Sequence, residues 1–128
     1  MAYTINRVFV DTDIKDVDAR TRAALAGRGF GVLTEIDVAA TMKKKLDVSM
    51  PAYVILGACN PKMAYEAIGM EPRVGAMLPC NVILREVAGD VEVSAVDPVS
   101  SMQAIDNPAL LAVAAQVRDL LAQAVADI

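Results

Sequence analysis

Tyr53-Val54-Ile55-Leu56-Gly57-Ala58-Cys59-Asn60-Pro61 is where the chain changes from one backbone periodicity to another. Tyr53 to Ala58 is a nearly continuous apolar run with two β-branched residues, the pattern of a strand buried on both faces. Asn60-Pro61 then supplies an N-cap and a first helical residue, because proline lacks the N–H that would go unpaired there. Met63, Ala64, Ala67 and Ile68 fall on one stripe of the helix that follows, and Gly69 stops it. A buried strand feeding an amphipathic helix belongs to a sheet covered by helices.

Working outward, the same alternation recurs. Tyr3 to Val10 is a β-rich first strand ending at the turn-prone Asp11-Thr12-Asp13. Asp13 caps a helix whose apolar face is Ile14, Val17, Thr21, Ala24 and Leu25, with Asp16 as a weak capping-box partner and Gly27 and Gly29 ending it. Phe30 to Ile36 is the second strand. Asp37 caps a short helix with Val38, Met42 and Leu46 at every fourth position, and Lys43-Lys44-Lys45 lies near its C-terminus, where the helix dipole favours positive charge. That run could hold a phosphate, but in an acidic chain it reads first as a solvated face. After the 53–69 unit, Glu71 to Gly75 is a loop, and Leu78–Val87 and Val91–Val96 form a hairpin about Ala88-Gly89-Asp90. Asp97-Pro98 ends the hairpin. Asn107-Pro108 opens a last helix of about twenty residues, ~30 Å long, with Leu110, Val113, Val117, Leu120, Leu121, Ala124 and Ile128 on a broad stripe. The expectation is a single domain over residues 1–128 in the α+β class. It is a two-layer sandwich with about five strands, helices packed on the sheet, and the order β-α-β-α-β-α-β-β-α.

Composition narrows function mostly by exclusion. The 128 residues carry 12 Lys plus Arg against 16 Asp plus Glu, a formal charge of −4, so a nucleic-acid partner is not expected. The hydrophobic fraction is 55%, although 22 of those residues are Ala, and this excludes a disordered chain. No membrane partner is expected, since the longest apolar run, Ala52 to Cys59, falls short of the roughly 18–20 residues of a span. The segment from Met1 to Arg7 lacks a basic region followed by an apolar block, which points to a cytoplasmic protein. There is no histidine, so Ser-His-Asp and Cys-His catalysis and the commonest neutral zinc ligand are absent.

Chemistry is left to Cys59 and Cys80, which a reducing compartment keeps as thiols. The plain reading makes both small core residues. Both, however, fall at element ends. Cys59 immediately precedes the amides of a helix N-terminus, which favour a thiolate or another anion, and Cys80 follows Pro79 at a strand start. On that strand Cys80, Val82 and Leu84 share one face, and Asn81, Ile83 and Arg85 the other.

Three functions follow. The first is a module binding a small ligand or soft metal ion in a cleft around Cys59, Asn60 and Cys80, with a methionine from Met42, Met50, Met63, Met70, Met77 or Met102 as an optional third metal ligand. The second is a thiol-dependent redox or sulfur-transfer enzyme with Cys59 as nucleophile and Cys80 resolving. Its thiolate would be supported by the helix N-terminus and by Lys62 or Arg73. The third is a structural dimer with no site. No cofactor is specified.

Gly57-Ala58-Cys59-Asn60-Pro61 with Ala64 and Ala67, followed by Leu78-Pro79-Cys80-Asn81-Val82, resembles the bacterial and archaeal family called domain of unknown function 302. Glu71 to Ala76 and the hairpin from Val91 to Asp97-Pro98 fit the same pattern, so the resemblance spans roughly residues 3 to 128. Many members keep the Gly-Asn-Pro and Leu-Pro elements without cysteines, and this chain resembles the branch that carries both. The resemblance implies a compact α+β unit that forms a homodimer, and no established activity, substrate or cofactor. A small domain this apolar also suits a partner interface.

Overall fold

The computed structural model describes residues 2–128. In chain order the elements are β1 (Thr4–Phe9), α1 (Ile14–Ala26), β2 (Gly31–Asp37), α2 (Val38–Leu46), β3 (Tyr53–Cys59) and α3 (Pro61–Met70). A 3-10 segment (Pro72–Met77) follows, then β4 (Cys80–Val87), β5 (Asp90–Val96), α4 (Pro98–Ser101) and α5 (Pro108–Asp127). The five strands form one antiparallel sheet in the order β1-β5-β4-β3-β2. This is the expected α+β series with two additions, the 3-10 segment where a loop was expected and the short α4 where the hairpin was expected simply to end.

Both additions share a cause. Four of the six prolines follow an Asx or Glx residue, and each such pair starts a helical segment. The Asn60, Glu71, Asp97 and Asn107 side chains accept from the backbone N–H of Met63, Arg73, Val99 and Leu110. The side chain satisfies an amide that the helix leaves unpaired, and proline needs no partner. At α1, Asp13 accepts from Lys15 N as an N-cap should, while Asp16 pairs with Arg20 and closes no capping box.

Helices α1 and α5 lie against one face of the sheet. Val17 and Leu25 from α1 and Leu121 and Val125 from α5 pack on Leu56, Ala58, Val82, Leu84, Val93 and Ala95. A second buried cluster holds Ala67 of α3, Val74, Met102, and Leu110 and Ala114 of α5. Arg7 closes the end of α5, its Nη1 donating to the Val125, Ala126 and Ile128 carbonyls while its guanidinium lies 4.7 Å from the Phe9 ring centre.

Three expectations need correction. β3 is not buried on both faces. Leu56 and Ala58 are fully buried beneath the helices, whereas Tyr53 and Ile55 point to the opposite face and are half-buried. An apolar run alone cannot distinguish a covered face from an uncovered apolar one. The stripe of α2 is not core either, for that helix buries no residue and Leu46 is 65% exposed. Its Lys43 pairs with Asp47 at 2.7 Å, as a solvated helix end would. Finally, α5 is long and apolar enough to cross a membrane by length and composition, so the apolar run at 52–59 is not the longest candidate. In the fold α5 lies along the sheet, with Leu110, Val113, Ala114, Leu121, Ala124 and Val125 buried.

Candidate functional site

The β3–α3 junction and the start of β4 are neighbours because β3 and β4 pair with Ala58 opposite Cys80. Cys80, first residue of β4, is on the helix-covered face and 6% exposed. Cys59, last residue of β3, is half-exposed where the chain turns into α3. Both are free thiols and both border one cavity. The pairing of strands therefore brings together two residues that sequence separation alone left unconnected.

This cavity lies between the sheet end, α3 and α5. Its volume is about 30 Å³, room for a water or two or a single ion, and far below the ~300–1,000 Å³ of a pocket for an organic ligand. Four sulfur-bearing side chains line it: Cys59, Met63, Cys80 and Met102. The remaining wall is mainly hydrocarbon, including Phe30, Ala67, Leu110 and Val113, and Asn60 supplies a polar side chain. Among the described residues no group of three or more His, Cys, Asp or Glu could hold a metal ion. Any metal here would rest on the two thiols supplemented by thioethers.

Burial pushes the Cys80 thiol up from 9.0 to about 11, because an anion loses its hydration in this apolar wall; negative charge on nearby Cys59 adds to the rise. Cys80 is therefore a neutral thiol at physiological pH. The amides at the start of α3 are less open than the sequence suggests. Pro61 has no N–H, and that of Met63 donates to Asn60 Oδ1 at 3.3 Å.

Of the residues singled out from sequence, Cys59, Asn60 and Cys80 line the cavity together. Lys62 and Arg73 are exposed and are not part of its wall. Among the six internal methionines the fold selects Met63 and Met102. Met63 could have been guessed, since it lies four residues from Cys59. Met102 arrives from beyond β5 on the turn after α4, a placement no local pattern encodes.

Two glycines fix the local backbone. A side chain on Gly57 would lie 2.7 Å from Pro79 Cγ and would also strike Thr34, so only glycine lets β3 pass beneath these neighbours. Gly29 has φ +84° and would place a Cβ 3.2 Å from Asn60 Nδ2. The Leu78–Pro79 peptide bond is cis, immediately before Cys80.

With this geometry in view, the comparisons with known proteins are decisive about kinship. The family model described as Domain of unknown function DUF302 matches residues 6–128. The chain belongs to the DUF302 family. It is also similar to the crystal structure of an uncharacterized conserved DUF302 protein from Bacillus stearothermophilus, with a TM-score of 0.92 and 25% identity over 99% of this chain and 98% of that one. No curated protein matches the chain. Membership in DUF302 agrees with the architecture and names no function.

Proposed function

We propose that the protein is a binding module for a small soft ligand, a metal ion or a sulfur species, held in the cavity bordered by Cys59 and Cys80. The observation that carries this reading is the convergence of two thiols and two thioethers on one apolar cavity sized for an ion. Soft sulfur donors select soft acceptors, and an apolar wall strengthens whatever electrostatic bond forms inside it. No proton-transfer group is required, in keeping with a chain that has no histidine.

Elemental content and protein-bound sulfane sulfur, measured on protein purified without chelators or reductants, test this role. The wild type should carry one soft metal ion or one extra sulfur atom per chain. Cys59→Ser and Cys80→Ser should lose it while keeping the wild-type circular dichroism. Equal content in all three proteins would refute the role.

A second reading, a thiol-dependent redox or sulfur-transfer enzyme, is favoured by one observation: the two thiols differ in access, Cys59 half-exposed and Cys80 buried. That asymmetry suits an attacking and a resolving thiol. Lys62 and Arg73 would then act from outside the cavity wall.

We further propose that a second copy of the chain covers the uncovered sheet face. Ile36, Ile55 and Ile83 are direct neighbours across β2, β3 and β4 on that face, where an antiparallel sheet facing water ordinarily turns polar. Beside them Arg85 Nη2 and Glu92 Oε1 pair at 2.9 Å. A two-fold axis near this pair would set each guanidinium against the other copy's carboxylate, the self-complementarity that an isologous interface requires.

A further inference from the structure

The four sulfur atoms and the charge balance of the cavity narrow the ligand beyond "small and soft". We infer that the cavity is a site for one monovalent soft cation of the Cu(I) type, held by the sulfurs of Cys59, Met63, Cys80 and Met102. This inference rests on the proposed binding role of the same cavity.

Charge balance suits a monovalent ion. The wall includes no Lys or Arg, so any net charge placed inside is unscreened and costly. One thiolate plus one monovalent cation is neutral.

Ligand type points the same way. Zinc uses cysteine, histidine and carboxylate, usually four of them, and among the described residues no group of three or more of these is assembled. Thioethers, by contrast, are weak ligands for zinc and good ones for Cu(I). Met63 and Met102 reach the cavity from unrelated parts of the fold, α3 and the segment after α4, and stand on the same wall as both thiols. The volume of about 30 Å³ admits one ion and excludes its hydration shell, which favours a cation that dehydrates readily onto sulfur.

Binding converts the Cys59 thiol to a Cu(I)–thiolate and releases one proton to solvent, with no change of oxidation state. The test is an anaerobic titration of the full chain with Cu(I) against the chromophoric chelator bicinchoninate, repeated for Cys59→Ser, Met63→Leu and Met102→Leu. Leucine keeps the volume and hydrophobicity of methionine, so these variants should fold, and thermal melts verify that they do. The same proteins are incubated with polysulfide and weighed by mass spectrometry.

We expect one Cu(I) per chain, a loss of at least roughly 100-fold in affinity for Cys59→Ser, and a loss of roughly tenfold for each Met→Leu variant. Zn(II) should bind far more weakly. Cu(I) affinity unchanged in both leucine variants would overturn the thioether assignment. Absence of Cu(I) binding together with Cys59-dependent gain of one sulfur atom would overturn the cation inference while leaving the soft-ligand role intact. Neither Cu(I) binding nor sulfur uptake would overturn both.

Discussion

Cys80 and Cys59 differ by only one step in their surroundings, and that step sets their chemistry. Cys80 is 6% exposed on the covered face of the sheet, and burial holds its thiol protonated up to about pH 11. Cys59 stands half-exposed at the turn into α3. Timed alkylation with iodoacetamide at pH 8, followed by peptide mass spectrometry, should therefore modify Cys59 first, with Cys80 slower by roughly tenfold or more. Equal rates would mean that the cavity opens freely in solution.

The raised value at Cys80 also has a thermodynamic consequence. Below pH 9 the thiol is protonated in both folded and unfolded chains, so it adds no pH dependence. Between the ordinary value of 9.0 and the folded value near 11, only the unfolded chain gives up the proton, and stability falls as pH rises. The slope contributed is about 1.4 kcal/mol per pH unit at most. Urea melts of wild type and Cys80→Ala at pH 8 and pH 10.5 should show a steeper loss in the wild type. Parallel curves would contradict the assigned burial.

At the scale of single elements, close backbone approach and helix caps account for how β3 delivers its last residues to the cavity. Gly57→Ala drives a methyl group into Pro79 and Thr34, with destabilisation of about 1–3 kcal/mol expected in a urea melt. A change within 0.5 kcal/mol would show that Pro79 and Thr34 give way easily. Most element types and the Asx-Pro starts were legible in the sequence, because cap chemistry and apolar periodicity are local. Asn60-Pro61 and Asn107-Pro108 announced α3 and α5, and the same device at Asp97-Pro98 marked α4 to anyone who applied it a third time. The order of strands was not legible, because which strand lies beside which depends on contacts distant in sequence. For the same reason the pairing of Ala58 with Cys80 and the arrival of Met102 came only from the fold. Nor could the apolar face of β3 be assigned, since a face covered by helices and an open apolar face have the same hydropathy.

Across the described residues, α1 and α5 pack on one side of a five-stranded sheet, and Ile36, Ile55 and Ile83 line the other. An isoleucine row on that open side departs from the polar surface expected there. If a second copy covers it, sedimentation equilibrium of the wild type gives twice the chain mass, and Ile83→Lys gives the monomer with the fold retained. A monomeric wild type would dismiss the dimer and leave the cavity untouched, because the two lie on opposite faces of the sheet. What the account claims above all is that four sulfurs around the β3–α3 junction form a place for a soft ion. The most direct measurement is a crystal grown anaerobically with one equivalent of Cu(I) and analysed by anomalous scattering at the copper edge. The account predicts a single strong peak inside the cavity, among Cys59, Met63, Cys80 and Met102. A cavity without a peak, with copper found only on the surface, would contradict it.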